Sequence, residues 1–491
     1  MTYDDHDATG LAGLVASGQA SPDELLTEAL DRVRALNPAL NAVVLVQEDL
    51  ARQAIRKGLP RGPFRGVPFL LKDLGAESRD FPSHSGSRLF ANETYPEDST
   101  IVARLKAAGL VIFGRTTSPE GGIGPATESA VYGGPTRNPW NLDRTPGGSS
   151  GGSGAAVAAG IVPAAHGSDG GGSVRIPASN CGLFGLKPTR ARLPDGPYAG
   201  EGWGGMAIDG YLTRSVRDTA ALLDATEGPD LGAPYHAPPL ARGYMAAIAR
   251  PPRRLRVGLC DTSFTGQPVH PDCAQAARDA ATLLESLGHH IEPFRPDADH
   301  EGMIRAWVDI VACGTALSIR GDLGGRDPRD LVEPVSRGAM AHAATLSGED
   351  YLRAIGRIHA YGRRMAAQFE SIDVLLSPVM AEPPARIGRF AHTTEDYLAY
   401  RLGPEGVWPY SPFCTAFNAS GQPAASLPLH WTEDGLPVGV QLAARFGDDE
   451  TLIALCREVE MARPWFHRRP PLDNRPPAEA ASSQKNREMQ A

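Results

Sequence analysis

The hydrophobic and polar positions of the chain alternate between a helical period and runs typical of buried strands. Residues 21–24 (Ser-Pro-Asp-Glu) have the capping serine, the first-turn proline and the glutamate of a helix N-terminus, and the helical pattern continues to about Leu36. An apolar strand pattern at residues 67–71 ends at Lys72. Residues 110–113 are predicted as another strand, so the first third of the chain has the order of an α/β fold.

The alternation continues along the rest of the chain. We predict helices at residues 154–160, 216–225, 270–287, 304–319 and 349–369, and strands at residues 161–166, 255–259, 374–377 and 438–443. Glycine and serine dominate residues 133–185, yet the interleaved alanine, valine and isoleucine indicate packed elements rather than a flexible linker. Residues 468–491, rich in proline and polar side chains, are predicted to be a disordered tail.

The composition is that of an ordinary globular protein. Of the 491 residues, 42% are hydrophobic and 21% are charged, and the formal net charge is -9. Nucleic acids and anionic membranes require a basic face, so we expect neither as a partner and a small molecule as the ligand. The acidic N-terminal residues and the lack of an apolar run of about 18 residues predict a cytoplasmic protein.

The cysteines give no sign of a metal centre. All six stand far apart, with no CxxC pair and no histidine at zinc-finger spacing. We therefore expect no zinc site and no disulfide framework. Residues 66–73, 147–154 and 167–177 also offer no cluster of histidine or carboxylate ligands, so we expect no metal.

Lysine is scarce, with five lysines against 43 arginines. Lys72 nevertheless follows the apolar run Phe69-Leu70-Leu71, which favours a buried amine, although a surface lysine with its charge in water stays an alternative. Burial lowers the pKa of a lysine, and a lysine that has lost its proton can act as a base. Lys72 is therefore a candidate catalytic base.

Two glycine-serine segments follow. Residues 147–154 (GGSSGGSG) contain the GxSxG pattern of a nucleophile elbow, but loop-forming residues stand where that motif requires a strand, and no Lys-Ser or Lys-Thr completes a phosphate-binding loop. A packed glycine-rich turn is the alternative for this segment. In residues 167–173 (GSDGGGS), three glycines beside Ser173 expose backbone N–H groups, as an oxyanion site requires. Asp169 and Arg175 flank them, and we predict that this pair gives structural support.

Taken together, these segments resemble the amidase signature family. A lysine after an apolar strand, the GGSSGG run and a serine 24 positions after the first serine of that run form the pattern, and residues 176–189 (IPASNCGLFGLKPT) continue it. Residues 136–140, 418–423 and 434–441 are similar to further family segments, so the resemblance covers about residues 21–463.

The resemblance implies an α/β fold with a central mixed, twisted β-sheet covered by helices on both faces. It also implies a single domain at residues 1–467, with a signature core at about 66–190 and a variable middle at about 230–400. The activity that it implies is cleavage of a carboxylic amide C–N bond through an acyl-enzyme, without a cofactor.

The family's mechanism, carried over to this sequence, assigns three catalytic residues. Ser173 is the nucleophile, and Lys72 is the base. Ser149, which follows a cis peptide bond from Gly148, passes a proton between them.

The resemblance also implies an oxyanion site of backbone N–H groups. These belong to Gly170, Gly171, Gly172 and Ser173. Many members have a bulkier residue where this chain has Gly170. The extra glycine is expected to make the loop more flexible and to vacate space beside the nucleophile.

The substrate is less narrowly implied. Residues 165–167 (Ala-His-Gly) and 312–314 (Ala-Cys-Gly) are similar to the branch of the family that opens the cyclic dimer of 6-aminohexanoate, which makes Cys313 a candidate substrate-binding residue. On a helix, however, a cysteine is more often a packing residue. His166 is interpreted as a core histidine. Cyclic or linear aminohexanoate-type amides are the expected substrates, with aryl amides and carbamates as the alternative.

Two other functions are considered. One is the amidase subunit of a tRNA-dependent amidotransferase, which the acidic composition and the different middle region disfavour. The other is a non-catalytic binding protein, which would have no need of all three catalytic positions. The expected partner is a small-molecule amide, and a homodimer stays open.

Overall fold

A single mixed sheet runs through the computed structural model, which describes residues 3–91 and 93–472. Within these residues the sheet has eleven strands in the order β1-β3-β2-β4-β6-β5-β10-β11-β9-β7-β8. The strands are β1 (Val43–Val46), β2 (Pro68–Lys72), β3 (Val111–Thr116), β4 (Ala164–Asp169), β5 (Phe184–Lys187), β6 (Ile208–Thr213), β7 (Arg256–Leu259), β8 (His290–Pro293), β9 (Val374–Pro378), β10 (Ala424–Trp431) and β11 (Pro437–Ala444). Strand β2 is parallel to β3 and β4, whereas β4, β6, β5, β10, β11 and β9 pair antiparallel in turn.

Helices connect most of the strands. They are α1 (Ala8–Ala16), α2 (Pro22–Leu40), α3 (Glu48–Lys57), α4 (Thr100–Ala107), α5 (Gly151–Ala158), α6 (Arg175–Cys181), α7 (Val216–Thr226), α8 (Tyr244–Ile248), α9 (Pro271–Ser286), α10 (His300–Leu323), α11 (Pro328–Leu331), α12 (Pro334–Ala343), α13 (Gly348–Gln368), α14 (Tyr397–Leu402), α15 (Val407–Tyr410), α16 (Thr415–Ser420) and α17 (Asp449–Ala462). The predicted cap of α2 is confirmed, since Ser21 and Glu24 form a reciprocal capping box.

Strand β2 shows how the sheet is covered. Successive side chains of a strand point to opposite faces. Phe69 and Leu71 belong to a hydrophobic cluster that includes residues of α4, α7 and α9, whereas Leu70 belongs to another cluster with residues of α2 and α5. Helices therefore cover both faces of the sheet, as the resemblance implied.

Two predicted boundaries are wrong around the glycine-serine segments. The predicted strand at 161–166 is β4 at Ala164–Asp169, because pairing with β6 extends it to Asp169, opposite Ile208. The helix predicted at 154–160 begins earlier, at Gly151 in α5, directly after Ser149 and Ser150. Both shifts bring the conspicuous residues of these segments to the ends of regular elements.

Helix α10 is long and apolar enough to cross a membrane, and among the described residues it is the one helix of that kind. It is packed into the molecule, however, because 61% of its most apolar 18-residue stretch is buried. We interpret it as a core helix. Of the tail predicted at 468–491, residues 473–491 lie outside the described residues.

Candidate active site

Lys72 is the last residue of β2 and is completely buried. Its Nζ lies 2.6 Å from Oγ of Ser149 and 2.9 Å from Oγ of Ser168. The preceding apolar residues hold the lysine in the sheet, so its amine ends beside two hydroxyl groups rather than in water.

Burial also changes the proton affinity of this amine. It lowers the pKa of Lys72 from 10.5 to about 7, although the negative charges of Asp209 and Asp169 oppose the change. A substantial fraction of Lys72 is therefore neutral near neutral pH. A neutral amine at 2.6 Å can accept a proton from the hydroxyl of Ser149.

Ser149 follows a cis peptide bond from Gly148. A side chain at Gly148 would collide with the backbone, since its Cβ would lie 2.6 Å from the carbonyl oxygen of Ala126. The N–H of the next residue, Ser150, donates to the carbonyl oxygen of Ser173 at 3.2 Å. The segments that carry Ser149 and Ser173 are thus joined by a backbone hydrogen bond.

Ser173 lies between two cavities. The larger, which we call the carboxylate cavity, has a volume of about 470 Å³, and Ser149, Ser168 and Ser173 contribute to its wall. The smaller, which we call the aromatic cavity, has a volume of about 30 Å³ and is lined by Ser173 together with Trp203, Trp307 and Trp408. Ser173, although mostly buried, therefore borders both cavities.

Carboxylates dominate the charge of the larger cavity. Its lining includes six of them: Glu77, Glu93, Glu120, Asp195, Asp209 and Asp322. In the described part of the chain, no lysine, arginine or histidine lines this cavity. Burial, together with the charges of Asp209 and Glu77, raises the pKa of Asp195 to about 7. Burial also raises the pKa of Glu77 and of Glu120, so these three acids favour their neutral forms. The negative potential of the cavity therefore comes mainly from its other carboxylates, Glu93, Asp209 and Asp322.

The predicted oxyanion loop needs one correction. The N–H of Gly172 donates to the carboxylate of Asp169 at 2.8 Å, so it is not free to bind an oxyanion. Within residues 3–91 and 93–472, the N–H groups of Gly170, Gly171 and Ser173 have no hydrogen-bond partner. Position 172 requires glycine for a steric reason. Its φ is +127°, and a Cβ there would lie 2.7 Å from Cβ of Cys414.

The space beside Gly170 is filled, contrary to the prediction. A Cβ at Gly170 would lie 2.6 Å from Cζ3 of Trp203, so the indole occupies the place of a bulkier side chain. Nε1 of Trp307 also donates to the carbonyl oxygen of Gly170 at 3.0 Å. Two tryptophans thus hold the loop that the glycines alone would leave flexible.

Asp169 and Arg175 form a completely buried ion pair at 2.8 Å. Burial alone would raise the pKa of Asp169, but the guanidinium of Arg175 holds this pKa well below its usual range. Arg175 also donates to side chains from two distant elements, Asn418 of α16 and Gln441 of β11. The pair therefore connects the loop before Ser173 to the C-terminal part of the sheet.

Cys313 has no evident place in the site. It is half-buried in α10 and packs against a hydrophobic cluster. Its neighbours Gly314 and Thr315 line the carboxylate cavity, whereas Cys313 is not among the described residues that line either cavity. Helical geometry turns adjacent residues to different faces, which the three-residue segment alone could not reveal.

His166 is completely buried in β4. Its Nδ1 accepts a 3.4 Å hydrogen bond from the backbone N–H of Lys72, and its Nε2 lies 3.2 Å from the carboxylate of Asp209. Its position agrees with the interpretation as a core histidine. Its imidazole thus contacts the backbone, and not the amine, of the candidate base Lys72.

Ser168 is a residue that the sequence reasoning missed. Its hydroxyl is the second partner of the Lys72 amine, yet it was treated only as part of the glycine-rich loop. The strand alternation of β4 could have indicated it, because Ser168 and His166 then share a face.

Among the described residues, no group of three or more histidine, cysteine, aspartate or glutamate side chains could hold a metal ion.

Comparison with known proteins extends the similarity to almost the whole chain. Residues 24–453 match the amidase family. The 6-aminohexanoate-cyclic-dimer hydrolase of Paenarthrobacter ureafaciens is 39% identical over 480 residues, which are 95% of this chain and 97% of that protein.

Solved structures show the same similarity at the level of the fold. The structure of a 6-aminohexanoate cyclic dimer hydrolase aligns with a TM-score of 0.90 and 37% identity, covering 96% of this chain and 99% of that one. A bacterial aryl acylamidase of the amidase signature family aligns with a TM-score of 0.84 and 30% identity, covering 94% and 96%.

Proposed function

The chain belongs to the amidase family and cleaves amide bonds, and we propose that it does so through Lys72, Ser149 and Ser173. One observation carries this assignment of residues. The Lys72 amine, with its pKa lowered to about 7 by burial, lies 2.6 Å from the Ser149 hydroxyl on the wall of the cavity that also reaches Ser173.

The proposed reaction begins with a proton relay. Neutral Lys72 accepts a proton from Ser149, which accepts one from Ser173 as the Ser173 oxygen attacks the amide carbonyl carbon. The relay returns a proton to the amide nitrogen, the C–N bond breaks, and the amine leaves. Water then attacks the acyl-enzyme ester with the same base, which releases the carboxylic acid and restores Ser173.

The tetrahedral intermediate requires donors for its oxyanion. We propose the N–H groups of Gly170, Gly171 and Ser173, because the N–H of Gly172 is bonded to Asp169. The Asp169–Arg175 pair supports this loop and touches no substrate. Losing one oxyanion donor typically costs about 3 to 4 kcal/mol of transition-state stabilisation.

The carboxylate cavity restricts the charge of the substrate. Its carboxylates, including Glu93, Asp209 and Asp322, repel an anionic substrate and favour a neutral or cationic one. The same potential drives the carboxylate product outward. A volume of about 470 Å³ is large enough for a small organic amide.

We propose amides of the 6-aminohexanoate type as the substrate class, with the cyclic amides favoured over the linear ones, which carry a carboxylate. The support is the similarity to 6-aminohexanoate-cyclic-dimer hydrolase together with the negative potential of the cavity, since a cyclic dimer has no carboxylate. Aryl amides are the second candidate, supported by the similarity to an aryl acylamidase.

We further propose a cytoplasmic location and a homodimer. We also propose that the protein binds neither nucleic acids nor membranes, which the net charge of -9 supports.

Hydrolysis assays on a panel of amides test these proposals. The panel contains the cyclic dimer of 6-aminohexanoate, an acetanilide, a carbamate, and pairs of amides that differ only in an added carboxylate. We expect kcat/KM for the neutral member of each pair to exceed that of the anionic member by about tenfold or more.

Two variants serve as controls. Ser173→Ala should lose all turnover, and Ser286→Ala, at an exposed serine on α9, should keep it. Turnover that survives in Ser173→Ala would contradict the proposed nucleophile. Equal hydrolysis of neutral and anionic members would contradict the proposed charge preference and leave the nucleophile assignment standing.

A further inference from the structure

Trp203 lies on a glycine-rich segment between β5 and β6, with a left-handed φ of +50°. Its indole is half-buried and packs edge-on against Trp307, with ring centroids 6.0 Å apart and an interplanar angle of 87°. A bulky residue with this φ is uncommon, so the surrounding contacts must hold the side chain in place.

Two glycines face the indole from different elements. A Cβ at Gly170, in the loop before Ser173, would lie 2.6 Å from Cζ3 of Trp203, and a Cβ at Gly314, inside α10, would lie 2.8 Å from its Cδ1. Neither glycine has a left-handed φ, so the backbone does not require glycine at these positions. Glycine is also unfavourable inside a helix such as α10. The indole of Trp203 therefore explains why both positions are glycine, since it occupies the space that a Cβ would need.

The same indole borders both cavities. Trp203, Ser173 and Gly122 belong to the walls of the aromatic cavity and of the carboxylate cavity. The aromatic cavity, at about 30 Å³, has room for little more than a water molecule, whereas the carboxylate cavity has about 470 Å³. Trp203 thus stands between a large space and a small one, beside the nucleophile.

We propose that Trp203 determines substrate specificity by limiting the group that lies on one side of the scissile bond. The inference rests on the proposed function, with Ser173 as nucleophile. A substrate places its longer part in the carboxylate cavity and a small group on the aromatic side, where the indole leaves no further room. Trp203 takes no part in the chemistry.

Two series of amides test this proposal. In the first the acyl group is acetyl and the amine grows from methylamine to butylamine and benzylamine. In the second the amine is methylamine and the acyl group grows from acetyl to pentanoyl and phenylacetyl. We expect the wild type to accept growth in one series and to reject it in the other, since even one methylene too many changes kcat/KM by about tenfold or more.

Trp203→Ala should relax only the rejected series. Its ratio of kcat/KM for the largest to the smallest member should rise by about tenfold or more, and Trp203→Phe should give an intermediate ratio. Trp431→Ala, which removes an indole that packs against Trp140 instead, should leave the ratios unchanged. Ratios within twofold of wild type for Trp203→Phe and Trp203→Ala, or equal shifts in both series, overturn the proposal.

A double variant tests the contact itself. Gly170→Ala should lower kcat/KM by a factor that is at least about tenfold larger in the wild type than in Trp203→Ala, because the added methyl group has space only where the indole is gone. An equal loss in both backgrounds overturns the proposal. Hydrolysis of the smallest amides that is lost in Ser173→Ala keeps the proposed function in place whatever the specificity results.

Discussion

Replacing Lys72 by arginine should be nearly as damaging as replacing it by alanine. The guanidinium group keeps its proton throughout the accessible pH range and cannot accept one from Ser149. A positioned general base typically contributes about 10²- to 10⁴-fold to the rate. We therefore expect kcat/KM to fall by about that factor, or by about 3 to 5.5 kcal/mol of transition-state stabilisation.

The pH profile of the wild type provides the second half of this prediction. Because burial lowers the pKa of Lys72 to about 7, the neutral form grows as the pH rises through that value. The kcat/KM of the wild type should accordingly rise with pH, by about tenfold per unit below pH 7, and reach a plateau above it. The residual activity of Lys72→Arg should lack this rise.

Steady-state kinetics between pH 5 and 9 would decide the matter, with Lys187→Met as the control. Lys187 is also buried and its pKa is also lowered to about 7. Its Nζ, however, donates to the carbonyl oxygen of Pro188, and within residues 3–91 and 93–472 it has no serine partner. That variant should keep the rise. A Lys72→Arg enzyme within about tenfold of wild type, or about 1.4 kcal/mol, would refute the role of Lys72 as base.

Other variants and conditions have distinct expected outcomes. Ser173→Ala should abolish turnover with an unchanged circular dichroism spectrum, since only one buried hydroxyl is lost. Asp169→Asn should lower the free energy of unfolding by about 3 to 5 kcal/mol in denaturant titrations, because it leaves Arg175 charged and unpaired. Lys72→Met should be more stable than wild type at pH 7 by up to about 5 kcal/mol. The wild type loses that stability as the pH falls from 10.5 to 7, where its unfolded state binds a proton that the folded state excludes. Chelators should leave kcat/KM within about twofold of its untreated value, since the described residues offer no cluster of metal ligands.

The parts of the fold with strong local signals could be predicted from the sequence. Helix α2 has a capping box at Ser21, and β2 is a run of apolar residues that ends at Lys72. Strands β6 and β10 were missed, because they contain Asp209, Gly210 and Pro428, which are rare in strands. Their pairing with distant strands overrides the local preference.

Some features of the candidate site could also be predicted from the sequence, and others could not. Residues close to a motif were identified, and the structure brings Lys72 and Ser149 together as expected. Trp203 could not be found, because nothing in its own segment shows that its indole fills the space beside Gly170. The occupied N–H of Gly172 also depends on the direction of one carboxylate, which a sequence pattern does not record.

The two buried lysines show why the proposal of Lys72 as the base rests on geometry, and not on proton affinity alone. Burial lowers the pKa of both Lys72 and Lys187 to about 7, and the scarcity of lysine in the chain applies to both. At Lys187 the positive charge of Arg175 adds to the effect of burial, and the amine donates to a backbone carbonyl group, which has no proton to give. At Lys72 the partners are two hydroxyl groups, and one of them belongs to a serine on the wall of the cavity that contains Ser173. A lowered pKa makes a lysine able to accept a proton, and only a neighbouring hydroxyl supplies one. Of the two lysines, we therefore propose Lys72 as the one that starts the relay.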